Sequence, residues 1–419
     1  MSTAAAAPSF AEAARFWAKL GFISFGGPAG QIAILHREIV ATRRWLGERE
    51  FTRALNFCML LPGPEALQLA IYLGWKLHGI RGGLVAGFGF ILPAIVLLFA
   101  LSYVYVMHGS LPWIAGLLYG LQAAVIALVL QALLRIGRRA LKTPLLMSLA
   151  ATAFLALELA RVPFPLVLLV AACIGAFTVR RDDGDVSAAP GTPPSHHRQT
   201  LNVGLVGIAL WLVPLVALGF TLGATSLWSQ VYLFFTKAAL VTFGGAYAVL
   251  GYVTTYMVDK VGWMTADQSV AGLALAETTP GPLVIVLQFM GFITGWNHPG
   301  PLTPLASALL AGALASWATF LPSFIFILLG APHVDRLTRH PRIDAALGAI
   351  TAAVVGVIAT LALLLAQVVL FPDGWRHAPD FVALAIAAAA WLLLGRLRWP
   401  LGAVLAVAAL SGLLAQYLR

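Results

Sequence analysis

The chain has 419 residues, of which 60% are hydrophobic and only 10% charged, with a net charge of +10. That is too little charge to cover a soluble globule, and the basic residues sit largely in short loops, which marks membrane orientation rather than nucleic-acid binding. Cys58 and Cys173 stand alone, with neither a disulfide framework nor metal-ligand spacing.

The first dozen residues are Ala-rich and lack a basic-then-apolar leader pattern, so no cleaved targeting peptide is expected. Residues 15–40 form an apolar segment split at Gly26-Gly27-Pro28, residues 41–53 are charged, and 54–76 form a second segment split at Pro62-Gly63-Pro64. Spans are expected near 83–107, 112–134, 143–160 and 162–179. Residues 180–200 are polar, hold three prolines and read as a flexible linker. A further span at 201–221 precedes split segments at 230–258 and 268–294 and spans near 303–330, 344–371, 380–395 and 399–417. Pro93, Pro214 and Pro322 are expected to kink their helices.

The plan is written twice. Phe25-Gly26-Gly27 and Pro62-Gly63-Pro64 recur as Phe243-Gly244-Gly245 and Pro280-Gly281-Pro282, each member 218 positions later. Phe16, Lys19 and Trp45 recur at the same offset as Phe234, Lys237 and Trp263, and after a slip of 11 residues Leu92-Pro93 recurs as Leu321-Pro322. An ordered set at one offset marks a tandem duplication. The domain plan is therefore a first repeat over 1–179, the linker over 180–200, and the extra span plus second repeat over 201–419.

Proline removes a donor and clashes with the preceding turn, and glycine tolerates angles closed to other residues, so helices should break at these four stretches. Loop charge then fixes topology. Stretches 36–53, 76–81, 135–142 and 180–198 carry clustered Arg or Lys, whereas 108–112 and 222–229 carry none. The first group belongs to the cytoplasm, which holds only if each split segment is re-entrant, entering to mid-depth and returning. Arms of about 10 residues reach about 15 Å, half the hydrocarbon thickness. The second half should be inverted. Its loop at 295–302 has no Arg or Lys where 76–81 has two, and 331–342 has Arg336, Arg339 and Arg342 where 108–112 has none. The span at 201–221 supplies the odd crossing. The fold class expected is an all-α polytopic membrane protein of two inverted-topology repeats with broken, re-entrant helices.

The paired motifs FGGP (Phe25 to Pro28) and LLPGP (Leu60 to Pro64), with Arg43-Arg44-Trp45 between them, resemble the chromate ion transporter family in its two-domain form. So does the second half, through FGG, Gly262-Trp263, LAETTPGP (Leu275 to Pro282) and GWNHPG (Gly295 to Gly300). Some of those relatives carry a histidine where this chain has Gln31. The resemblance implies export of chromate, a tetrahedral dianion, across the bacterial inner membrane, giving resistance to it. The rival within transporters is a carrier of sulfate or a related oxyanion. A membrane-embedded enzyme or an anion-binding receptor is the rival from another class, and would need a catalytic cluster or an added soluble domain. No nucleophile–base pair, metal cluster or phosphate-binding loop is visible, so no enzyme activity, cofactor or metal is expected. The partners expected are the oxyanion and the lipid bilayer, with a homodimer left open and no nucleic acid.

The residues themselves say how an anion would be held. A helix restarting after a break points free amides and a partial positive charge at the break. The substrate-binding set is therefore Gly26, Gly27, Ala29, Gly63, Pro64, Gly244, Gly245, Gly281 and Pro282. Pro28, Pro64 and Pro282 suit a first helical position, and Ala246 stands where the fourth proline would be. Lys19 and Lys237, each six residues before its FGG phenylalanine, either attract the anion or snorkel to the interface. Glu65 and Glu277 flank the PGP breaks and are proton-carrying candidates, since an ionised carboxylate repels an anion. Glu65 also fits as a first-turn carboxylate, an explanation that Glu277 lacks. Arg37, Arg43 and Arg44 read as orientation signals, with an entry funnel as the alternative.

Overall fold

The computed structural model describes residues 8–178, 197–243, 245–334 and 341–418. Gly244, Arg336 and Arg339 lie outside the described residues, as does the expected linker up to residue 196. Its last four residues already belong to a helix.

Among the described residues the regular structure is helical throughout. The first repeat runs α1 (Phe10–Ile23), α2 (Gly27–His36), α3 (Glu48–Met59), α4 (Glu65–His108), α5 (Pro112–Ala140), α6 (Pro144–Glu158) and α7 (Phe164–Thr178). Then comes α8 (His197–Leu218). The second repeat runs α9 (Leu227–Leu240), α10 (Ala246–Thr255), α11 (Ala266–Thr278), α12 (Val286–Asn297), α13 (Pro304–Gly330), α14 (Pro341–Leu370), α15 (Phe381–Gly395) and α16 (Leu401–Leu418). Among the described residues six helical stretches are long and apolar enough to cross a membrane, and large apolar side chains such as Phe177, Phe220 and Leu159 stand exposed on the outside. The molecule is an all-α, multi-pass membrane protein.

The four breaks fall where glycine and proline place them. Helices stop at Ile23, Met59, Leu240 and Thr278, and Gly26, Gly27, Gly63, Gly245 and Gly281 all have positive φ, which L side chains rarely adopt. The interior prolines behave differently. Helical angles continue through Pro93, and α4 departs from them at His78 and Gly79, where Gly79 has φ 61°. The sharp turn thus sits in the charged stretch 76–81, because a left-handed glycine can reverse the chain whereas a proline only removes one bond.

Each split segment returns to the end it came from. The Phe16 and Trp45 rings, on either side of the first break, lie 5.2 Å apart, and the Arg43 guanidinium covers both at 4.9 and 5.1 Å. Lys76, at the end of the second split segment, lies 3.4 Å from Glu50 at its start. The second repeat does the same. Phe234 and Trp263 are 6.1 Å apart, and Asn297 Nδ2 donates to Gln268 Oε1 at 3.0 Å and to the Trp263 carbonyl at 3.2 Å. Straight crossing helices would put those partners on opposite faces, so the segments are re-entrant hairpins. Both α2 and α10 finish in a π-helical turn, Arg37–Thr42 and Tyr256–Lys260.

The straight helices follow the same twofold logic. α1 packs on α4 as α9 packs on α13, α5 packs on α16 as α14 packs on α7, and α5 packs on α15 as α14 packs on α6. The α5–α16 seam is closed by Gly116 and Gly120 against Gly412 and Ala408, and the α14–α7 seam by Ala345 and Ala349 against Gly175. Small residues let such backbones touch, the usual means of helix association in lipid. Positions 345 and 349 are the partners of 116 and 120 at the 229-residue offset of the later helices (218 plus the slip of 11).

The hairpin geometry predicts that single cysteines at Gly47 and Gly79 react with a membrane-impermeant maleimide from the same side of the membrane. Labelling from opposite sides would show the split segments crossing fully.

Candidate functional site

The breaks of one half are bonded to the breaks of the other. Gly63 N–H donates to the Thr242 carbonyl at 2.8 Å, and Gly281 N–H donates to the Ser24 carbonyl at 2.8 Å. Ser24 and Thr242 are repeat partners, as are Gly63 and Gly281, so the two bonds are the same bond made twice. Each FGG break meets the PGP break of the opposite repeat. The Ser24 hydroxyl donates to Leu20 O at 2.7 Å and the Thr242 hydroxyl to Ala238 O at 2.6 Å, so each closes the last turn of its helix. A buried amide or carbonyl without a partner costs several kcal/mol in hydrocarbon, which these pairings avoid.

The proline-bearing helices α4 and α13 wall the layer in the same twofold way. A Cβ on Gly63 would come within 2.6 Å of Ser323 Oγ and 2.7 Å of Gln68 Nε2, and one on Gly281 within 2.7 Å of Ala94 Cβ. Ser323 and Ala94 are repeat partners, each following its helix proline. Polar groups then depart from the symmetry. Gln68 Nε2 donates to Pro62 O at 2.7 Å, and Gln31 Nε2 donates to the Gly281 and Ser24 carbonyls, tying the first half to the second break. Gln31 Oε1, Gln68 Oε1 and Ser323 Oγ are buried without a hydrogen-bond partner.

The sequence-predicted residues are distributed as follows. Gly26, Gly27, Gly63, Gly245 and Gly281 lie at the breaks, and Ala29 lies exposed in the first turn of α2. Gly244 is outside the described residues. The glycine amides of the PGP breaks are not free for an anion, since each already has a carbonyl. Pro28 takes an early helical position as expected, but Pro64 is the N-cap of α4 and Pro282 that of a short 3-10 turn, Leu283–Ile285, ahead of α12. Lys19 and Lys237 sit at matching exposed positions of α1 and α9 rather than in the buried layer. Glu65 opens α4 as a half-buried first-turn carboxylate.

Glu277 is buried and accepts a 2.7 Å hydrogen bond from the Tyr247 hydroxyl. It lines a cavity of about 270 Å³ with Phe25, Thr278, Leu121, Leu401 and Leu405, so both halves contribute to the space beside the second break. Among the described residues no cluster of His, Cys, Asp or Glu could hold a metal ion. Sequence reasoning singled out neither Ser24 nor Thr242, although both stand in register two residues before the FGG glycines. Gln68, Ser323 and Tyr247 have Val286, Ala94 and Ala29 as their repeat partners, so nothing in the duplication pointed to them.

An all-helical, multi-pass architecture with re-entrant breaks meeting in the interior defines a membrane protein of transporter type. The chromate transporter family matches residues 11–176 and 229–413, and the chain belongs to that family. It is 30% identical over 417 residues to a probable chromate transport protein of Synechococcus elongatus, covering 97% of this chain and 95% of that one. It is 34% identical over 360 residues to a chromate transport protein of Pseudomonas aeruginosa, covering 84% and 79% of the two chains. A chromate transport protein of Cupriavidus metallidurans is 28% identical over 358 residues, 84% of this chain and 81% of that one. No solved structure matches the chain.

The packing around the breaks ranks the glycines. Gly27→Ala and Gly245→Ala meet open space and carry only the positive-φ penalty of about 1–3 kcal/mol. Gly63→Ala and Gly281→Ala add overpacking of about 1–3 kcal/mol. Thermal unfolding in detergent should therefore place the second pair well below the first. Ala94→Gly should restore much of the loss in Gly281→Ala, because the obstructing atom is the Ala94 methyl. Equal melting of all four, or no rescue, would contradict the packing.

Proposed function

We propose that the protein is a secondary transporter that exports chromate, or a closely similar tetrahedral oxyanion, across the bacterial inner membrane and so confers resistance. The two repeats have inverted topology, and the anion binds in the layer where their breaks cross. The observation that carries this reading is the crossed pairing of Gly63 with Thr242 and Gly281 with Ser24. It brings four broken helix ends from two homologous halves to one depth, the arrangement in which helix termini can serve an ion from either side.

Inversion is supported by what touches the two ends of α4. Near its turn, at the end holding the first-half hairpin termini, Gly83 packs on Leu328, and Phe88 then packs on Phe324 beside the break layer. Toward its other end, the Ile95 carbonyl accepts from Gln288 at 3.1 Å and Tyr105 lies 5.3 Å from Phe289, on the way to the hairpin termini of the second half. The 24 residues from Arg81 to Tyr105 span about 36 Å at helical rise, the depth of a bilayer core. With α8 as the odd crossing, the Arg-rich end of the first half faces the cytoplasm.

Glu277 is the proton carrier in this reading. It is buried, hydrogen-bonded to Tyr247, beside a cavity shared by both halves, and placed where a charge is tolerated only with a partner. An incoming proton neutralises it while the dianion leaves, so the exchange needs no other ion.

Inverted membrane vesicles test the proposal directly. They should take up labelled chromate, faster when the lumen is acidic. Glu277→Gln should retain chromate exchange but lose the response to the pH gradient. Tyr247→Phe should weaken that response while leaving exchange intact. Uptake of sulfate with none of chromate would favour the sulfate rival, and uptake of neither would sink the transporter reading.

A further inference from the structure

Apart from the unmatched α8, the two halves differ in how their hairpins meet the scaffold helices. In the second half, α10 lies against α14 and α11 against α5. Among the described residues there is no comparable packing of α2 on α5 or of α3 on α14. Burial follows this difference. Gly251, Ala274 and Glu277 are buried, whereas their repeat partners Ala33, Asn56 and Met59 are exposed. Ala29 and Gly26, at the start of α2, are exposed on the same side. The first-half hairpins therefore stand off the scaffold helices and leave a cleft at the Arg-rich end, while the second-half hairpins are shut.

The shut interface says what the open one would become. Gly251 touches Val357 and Leu361 of α14, whose partners on α5 are Leu128 and Ala132. Leu361 and Leu364 line one small void with Leu250 and Thr254 of α10. The partners of those two α10 residues are Ile32 and His36, and the partner of Leu364 is Arg135. If the first half shuts as the second has, Ala33 lands on Leu128 and Ala132, and α2 carries Ile32 and His36 over Arg135. A leucine suits such an interface, and an unpaired guanidinium does not, because burying a lone charge costs far more than the contact returns.

Arg135 is exposed on the cleft wall, near enough to bear electrostatically on Tyr247 and Glu277. Glu277 is the carboxylate that Arg135 bears on, and once Glu277 carries its proton it offers no counter-charge, while the carboxylates of the first-half hairpins are engaged elsewhere. Glu48 pairs with His36 at 2.8 Å, Glu38 with Arg43 at 3.9 Å and Glu50 with Lys76 at 3.4 Å. A counter-ion for Arg135 must then come from outside, and the planar guanidinium fork matches two oxygens of a tetrahedral oxyanion. We propose, resting on the transport reading above, that Arg135 takes the oxyanion in the first-half cleft. Closure of α2 and α3 onto α5 and α14 then proceeds only with the ion aboard, while α10 and α11 open in exchange.

The test uses the full chain in membrane vesicles, with Cys58→Ala and Cys173→Ala as background. The pair Ala33→Cys with Leu128→Cys reports closure through a short thiol cross-linker, and Gly251→Cys with Val357→Cys reports the opposite end. Chromate is compared with molybdate, a tetrahedral dianion that does not oxidise thiols. In the parent, either ion should raise the 33–128 yield several-fold and lower the 251–357 yield. Arg135→Leu should cross-link 33–128 strongly without any ion and show no further rise. Arg135→Lys should keep part of the ion response. Failure of 33–128 to link within one chain while 251–357 links normally overturns the proposal. So does an ion response that survives Arg135→Leu, or an unchanged yield in a parent that still transports chromate. An unchanged yield in a parent that transports neither ion overturns the transport reading instead.

Discussion

Two backbone hydrogen bonds hold this architecture together, from Gly63 to the Thr242 carbonyl and from Gly281 to the Ser24 carbonyl. A broken helix inside a membrane exposes amides and carbonyls that water cannot reach, and each must find a partner in the protein. Here the partners come from the other repeat. The Gly63 and Gly281 amides each take their carbonyl from the other half, which interlocks the duplicated chain. The glycines are needed twice over, for their positive φ and for the close approach of Ser323 and Ala94. Gln31 adds a third tie from the first half to the second break.

Much of this was legible in the sequence because it rests on backbone chemistry. Glycine and proline mark the breaks, and the offset of 218 residues marks the repeat. The distribution of Arg and Lys required the split segments to return, and the pairing of Lys76 with Glu50 and of Phe16 with Trp45 bears that out. The turn at His78–Gly79 shows the limit of proline counting. Pro93 sits inside a continuing helix, whereas a left-handed glycine makes the sharp reversal.

The side chains of the site were less legible. Ser24 and Thr242 contribute carbonyls, which any residue has, so their identity carried little signal. Gln68, Ser323, Tyr247 and Arg135 have apolar partners in the other repeat, and repetition therefore hides them. Those departures from symmetry are where a duplicated scaffold acquires chemistry. The crossed bonds need symmetry, whereas the proposed proton carrier Glu277 and the proposed anion ligand Arg135 each occur once, opposite Met59 and Leu364. The same contrast separates the halves in packing, with one pair of hairpins shut on the scaffold and the other pair open.

The account stands or falls on where the oxyanion rests. Cryo-electron microscopy of the protein in lipid nanodiscs with molybdate, a strong scatterer, would locate it. The ion should lie at the depth of Gly63 and Gly281, between the first turn of α2 and α5, with Arg135 turned toward it. Density only at the exposed ends of the molecule, away from the crossed breaks, would contradict the account.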